Sequence, residues 1–136
     1  MRSTTMIRIT KSVYDAIIAH AQNDAPIEAC GYLGGKDGEA SQRYSMTNVD
    51  GSAEHFSFDP KEQFAALKEA SERKLRLIAC YHSHPATPAR PSGEDIRLAY
   101  DPNISYIIVS LAEQTPVLKS FRIKNGEAEN EEVVII

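Results

Sequence analysis

The chain has 136 residues, with 15 Lys+Arg against 19 Asp+Glu and a formal net charge of −4. That length can bury a full core without disulfide staples and predicts a single domain over residues 1–136, and the acidic balance without any basic run excludes a nucleic-acid partner. The opening MRSTTMIRIT has no apolar leader and no stretch approaches the roughly 18 apolar residues of a membrane span, so a cytoplasmic protein with no membrane partner is expected.

In chain order, Met6 to Thr10 alternates like a short strand, and Lys11 to Asn23 carries Val13, Ile17, Ile18 and Ala21 at helical spacing. Asp24, Ala25 and Pro26 end that helix. Glu28 to Gly34 reads as a strand, Lys36-Asp37-Gly38 as a hairpin turn, and Ala40 to Asn48 as the partner strand. His55 to Phe58 is expected as a brief strand. Asp59-Pro60-Lys61-Glu62 opens a helix that reaches about Arg73, with an acid at the N-cap and proline in the first turn. Leu75 to His84 is an apolar strand ended by Pro85, which cannot donate to a ladder. A loop containing Pro85, Pro88 and Pro91 leads to Ser92, which starts a short helix to about Tyr100. Ile104 to Leu111 and Val117 to Ile123 read as strands, and Asn125-Gly126 as a turn before a last strand at Val133 to Ile136. Hairpins mixed with three helices predict an α/β or α+β arrangement and not a doubly wound parallel sheet.

Two of the 4 histidines stand one residue apart, in His82-Ser83-His84. Residues two apart share a face on a strand but diverge on a helix, so the pair can meet one metal ion because this segment is extended. Asp95, in the first turn of the following helix, is the candidate third ligand. Its neighbour Glu94 is a rival, but adjacent helical residues diverge by about 100°, so only one of them can face the ion. Two histidines and a carboxylate suit zinc and leave a fourth tetrahedral position for water, which there becomes acidic enough to attack near neutral pH. Hydrolysis also needs a base, for which Glu28 in PIEACGYLGG is the candidate. Ser92 with an acid three residues on is also an ordinary capping box, which would fix Asp95 in place.

Taken together, Glu28, His82-Ser83-His84-Pro85, Ser92 and Asp95 at this spacing resemble the signature of the JAMM (MPN-plus) zinc metalloproteases. The similarity extends to Glu28-Ala29-Cys30-Gly31, to Asn48 at a strand exit and to Phe56-Ser57-Phe58-Asp59-Pro60 before a helix. The resemblance implies a curved mixed β-sheet flanked by helices, of the cytidine-deaminase-like kind, with one zinc per chain. It implies His82, His84 and Asp95 as ligands, Glu28 as general acid/base, and Ser92 as the hydroxyl that supports the tetrahedral intermediate. It further implies cleavage of amide bonds at the C-termini of ubiquitin-like proteins. The absence of long insertions resembles the short stand-alone prokaryotic members, some of which trim sulfur carriers. The expected substrate is thus a ubiquitin-like or sulfur-carrier protein with a flexible tail, cut after Gly-Gly. Ala79 and Tyr32 depart from the family pattern, where glycine and leucine are frequent.

Two rival readings stay open on the sequence. Cys80 shares strand parity with His82 and His84, so a thiol hydrolase is conceivable, although Cys30 and Cys80 both read as small buried apolar residues. The other is a zinc-binding scaffold without turnover. His20 and His55 lack ligand spacing and are expected to be structural or solvated, and Phe56 and Phe58 to face a core.

Overall fold

The computed structural model describes residues 5–136. Among them seven strands, β1 (Met6–Ile9), β2 (Cys30–Lys36), β3 (Glu39–Met46), β4 (Arg76–His84), β5 (Ser105–Ser110), β6 (Val117–Lys124) and β7 (Glu127–Ile135), form one sheet. Its order is β1-β3-β2-β4-β5-β6-β7, and β1 also pairs with β7, so the sheet curves until it closes on itself. β1 runs parallel to β3 and β7, and β4 parallel to β5, while the other neighbours are antiparallel. The mixed, curved sheet expected from the sequence is what forms.

Three helices cover it: α1 (Lys11–Asp24), α2 (Pro60–Glu72) and α3 (Gly93–Arg97). Val13, Ile17 and Ala21 put a buried stripe on α1, which packs with Ala79 and Tyr81 of β4 and Ile107 and Val109 of β5. Ala66 and Ala70 of α2 sit in a second cluster with Cys30, Tyr44 and Met46. Ile96 joins a third with Ala89, Ile108, Phe121 and Ile123. The helix starts follow the sequence closely. The Asp59 carboxylate accepts from the Lys61 amide with Pro60 next to it, and the Thr10 hydroxyl accepts from the Val13 amide. No helix among the described residues is long and apolar enough to cross a membrane.

The short helix expected to reach about Tyr100 ends at Arg97, and three further boundaries differ from expectation, each for a local reason. His55 to Phe58 forms no strand, because its backbone bonds go to Asn48 and Val49 and no free sheet edge lies beside it. The last strand starts at Glu127, well before Val133. Asn125 (φ 54°) and Gly126 (φ 78°) make a two-residue turn that pairs Lys124 with Glu127, so hairpin geometry extends β7 through polar residues that carry no apolar signal. β2 begins at Cys30, which leaves Glu28 just outside the ladder.

The centre of the sheet is packed too tightly for one added carbon at Gly31. A Cβ there would lie 2.5 Å from the Tyr81 ring and 2.6 Å from the Tyr44 carbonyl oxygen, whereas at Gly93 it would meet nothing within 4 Å. Gly31→Ala should therefore lower stability by about 1–3 kcal/mol or more, as overpacked cores do, and Gly93→Ala should leave the urea midpoint unchanged or raised. Equal midpoints for the two variants would contradict this packing.

Candidate active site

β4 ends between two covered faces. Its residues Ala79 to His84 are all buried, with Ala79, Tyr81 and Ser83 directed to the α1 side and Cys80, His82 and His84 to the side of α2 and α3. The loop after β4 folds back because the Ser110 hydroxyl donates to the Thr87 carbonyl (2.6 Å) and Ala89 is buried against Ile108 and Phe121. That return delivers Ser92 and α3 to the histidines. Ser92 Oγ accepts from the Asp95 amide and Asp95 Oδ2 accepts from the Ser92 amide, each at 3.0 Å, a complete capping box.

The three expected ligands come together. His82 Nε2, His84 Nε2 and Asp95 Oδ2 form a triangle with edges of 3.1, 3.1 and 3.0 Å. A tetrahedral ion with arms of about 2.0 Å would separate its ligand atoms by about 3.3 Å, so the triangle is close to one face of such a site. The His84 Nδ1–H donates to the Pro88 carbonyl (2.9 Å), which leaves the Nε2 lone pair directed at the triangle. Phe56 stacks on the His82 ring with centroids 4.6 Å apart and fixes its plane. Burial pushes the Asp95 carboxyl up, but hydrogen bonds from His82 and His84 outweigh it and hold the group well below the usual carboxylate range. The donor set and its spacing fit a divalent cation. Glu94, the rival ligand, turns away, with Oε2 3.7 Å from Arg97.

Glu28 sits beside this triangle in a different state. It is 4% exposed, and its Oε1 is buried with no hydrogen-bond partner. Burial raises its carboxyl to about 7, with Asp95 adding to the shift and His84 opposing it. Such a group can hold or release a proton near neutrality. Ser92 is exposed, and its oxygen accepts a hydrogen bond in the capping box while its hydroxyl proton stays available to donate. Cap and oxyanion donor are thus compatible roles.

An apolar groove of about 780 Å³ opens from the triangle. Its lining includes Leu77, Cys80 and His82 of β4, Tyr32 and Tyr106 of the neighbouring strands, Gln63 and Leu67 of α2, and Leu98 and Tyr100 just after α3. The Tyr32 hydroxyl accepts from Gln63 Nε2 at 2.9 Å, so the departure from the family's leucine places a polar atom in the groove wall. Phe56 and Phe58 pack against the cluster under α2, as expected, and also line this groove.

The remaining sequence candidates do not join the triangle. Burial pushes the Cys80 thiol up to about 12, which keeps it protonated and removes the basis for a thiol nucleophile. His20 is structural, with Nδ1 2.7 Å from the Tyr81 hydroxyl and Nε2 3.1 Å from Asp24. His55 is exposed and bound through Nδ1 to Asp50, although it also lines the groove beside His82. Two residues named in the sequence pattern carry roles that it did not assign. Asn48 gathers five backbone groups, and Ser83 bonds the Ala29 amide from the face opposite the histidines. Strand parity, which turns Ser83 away from the site, was the available signal for the second.

Residues 10–124 match the Prok-JAB family model, described as prokaryotic homologues of the JAB domain. The chain is 34% identical over 131 residues to the CysO-cysteine peptidase of Mycobacterium tuberculosis, covering 94% of this chain and 90% of that protein. It is 33% identical over 123 residues to a probable TtuB-protein conjugate cleaving protease of Thermus thermophilus, covering 90% and 79%. The solution structure of protein DSY2949 from Desulfitobacterium hafniense superposes with a TM-score of 0.89 at 48% identity, over 96% of this chain and 93% of that one.

If the triangle is a cation site, cobalt(II) titration should give the visible absorption of a four-coordinate ion, with three protein ligands supplied by this chain. The band should be absent from His82→Ala/His84→Ala and retained in Cys80→Ala. A band of equal strength in the double variant would place the ion elsewhere.

Proposed function

The chain belongs to the Prok-JAB family, within the short prokaryotic JAMM/MPN proteins, and from that premise we propose that it is a zinc-dependent peptidase that cleaves an amide bond after the Gly-Gly end of a ubiquitin-like protein, a sulfur carrier in the first instance. The observation that carries this reading is the buried, unpartnered Glu28 carboxyl beside the His82–His84–Asp95 triangle. A scaffold that only holds an ion has no use for a proton acceptor kept out of water at that point. His82, His84 and Asp95 would hold one zinc per chain. When bound, the ion supplies Lewis acidity, polarising a carbonyl and making water acidic enough to attack near neutral pH.

The chain's own residues do the rest. Glu28 takes a proton from the attacking water and returns it to the leaving amine, which needs an oxygen free of other partners. Ser92 donates its hydroxyl proton to the scissile carbonyl oxygen as negative charge develops there. The capping box holds that hydroxyl in register with Asp95. The groove takes an extended tail, with apolar side chains against Leu67 and Leu98, and glycine at the scissile end lets the backbone approach a crowded centre. This chemistry suits the names of both relatives, one acting on CysO-cysteine and one on TtuB-protein conjugates. A reducing, cytoplasmic setting agrees with two free cysteines.

Carrier proteins bearing a C-terminal extension, followed by mass spectrometry, provide the test. The zinc-loaded enzyme should cut once after Gly-Gly, and valine in place of the two glycines should slow it sharply. Many cuts in unfolded casein at a similar rate would refute the assignment. Glu28→Gln should keep its metal and lose about 10²- to 10⁴-fold in rate. Ser92→Ala should lose up to about 10²- to 10³-fold if the hydroxyl meets the oxyanion. A loss of only about 1 kcal/mol in stability with normal turnover would show a cap alone. Leu67→Glu, which puts a charge on the groove wall, should raise KM several-fold with kcat little changed.

A further inference from the structure

The Glu28 carboxyl has no anchor at Oε1, so the position of the proposed base depends on how its backbone is held. The paired ladders stop short of it. The β2–β3 and β2–β4 ladders begin at Cys30, two residues later. Across this gap two side-chain and two backbone bonds hold the peptide. The Ala29 amide donates to Ser83 Oγ (2.8 Å), and the Ser83 amide donates back to the Ala29 carbonyl (3.0 Å). The Glu28 carbonyl accepts from Asn48 Nδ2 (3.0 Å), and the Glu28 amide donates to the Ser52 carbonyl (2.9 Å).

Both side chains also tie the base to elements that carry or cover the ligands. Ser83 lies between His82 and His84 and is 1% exposed, on the opposite face of β4, so its hydroxyl joins the base to the strand that carries two ligands. Asn48 Nδ2 donates also to the His55 carbonyl (3.0 Å) and, more weakly, to the Ser52 carbonyl (3.4 Å). Its Oδ1 accepts from the Asp50 amide (3.1 Å) and the Ser57 amide (3.3 Å). Donor and acceptor ends of one amide are both in use. The segment it gathers carries Phe56 onto the His82 ring. Asn48 therefore fixes the base and the stacking ring on His82 against the same point.

We propose that Ser83 and Asn48 are positioning residues that set Glu28 against the ligand triangle at the end of the regular ladder, an inference that rests on Glu28 being the base. Neither touches the ligand atoms or the groove. Their loss should displace the base and leave ion and substrate binding intact, and a displacement near 1 Å is enough to cost about 10²-fold in rate.

The test uses the zinc-loaded full chain with Ser83→Ala, Ser83→Thr and Asn48→Asp, each alone and combined with Glu28→Gln, and reads kcat, KM, metal content and Tm. Asn48→Asp keeps the acceptor oxygen that gathers Asp50 and Ser57, so the loop stays tied there, and removes the donor to the Glu28, His55 and Ser52 carbonyls. Ser83→Ala and Asn48→Asp should keep about one ion per chain and KM within about twofold, with kcat down about 10- to 100-fold, the range of outer supports of a site. Ser83→Thr, which keeps the hydroxyl, should return kcat to near the parent value. In the Glu28→Gln background neither change should subtract more than about twofold further, since residues that act through one group are not additive. Parent kcat in both single variants, or losses that multiply fully with Glu28→Gln, would overturn the positioning role while leaving the base assignment standing. A Glu28→Gln variant as fast as the parent would overturn both.

Discussion

The site depends on the period of two in β4. Between β2 and β5, with helices over both faces, this strand has no solvent side, and successive side chains are divided between two packed environments. A slip of one residue would send His82 and His84 into the α1 core and Ser83 into the groove. Tyr81 guards against it. Its ring covers Gly31 of the neighbouring strand, where no Cβ fits, and its hydroxyl meets His20 Nδ1 on α1. A tyrosine on one face thus fixes the direction of two histidines on the other, and the packing of α1 becomes part of the site although α1 contributes no residue to it.

Burial alone does not decide what an ionisable group does here; its partners do. Glu28 and Glu131 are both 4% exposed. Glu131, on β7, accepts from the Ser105 and Ser120 hydroxyls and from Arg122 Nε, so its charge is fully engaged and its role ends with joining three strands. Glu28 keeps an unpartnered oxygen and a carboxyl near 7. An unsatisfied buried carboxyl costs stability, which a fold retains only where something else meets that oxygen. Cys80 and Asp95 extend the contrast around the same groove. Without a compensating cation the thiol is pushed up to about 12, whereas two imidazoles pull the partly buried carboxyl down.

Much of this was legible in the sequence because it is written in short-range rules. Parity gave the shared face of His82 and His84, Pro85 the strand end, and Ser92-Gly93-Glu94-Asp95 the cap that aims Asp95. What escaped has no local signature. The strand Glu127–Ile135 opens with polar residues and is recruited by the Asn125-Gly126 turn, and His55 to Phe58 alternates like a strand but finds no edge to pair with. The groove is assembled from strands, α2 and the end of α3, residues as far apart as Tyr32 and Tyr106, so no window of sequence could show it. Asn48 was visible only as a likeness. Four of its five contacts lie within its own loop, and the fifth, to Glu28, follows from the β2–β3 pairing of Cys30 with Met46.

The two halves of the site differ in how firmly they are held. On the strand side, His82 stands on a buried strand paired along both edges, and His84 two residues on is paired with β5. On the helix side, α3 has five residues and none is buried. It is retained by partial packing of Ile96 and by a capping box whose acceptor, Asp95 Oδ2, is also the third corner of the triangle. One oxygen therefore starts the helix and completes the candidate cation site. An ion seated there would hold α3 down as well as bind, and its affinity would include the free energy of ordering that turn. Ser92 shares the arrangement. Because its oxygen is the other half of the box, anything that seats Asp95 also places the Ser92 hydroxyl, so the metal site and the oxyanion donor proposed for it are set by a single local structure.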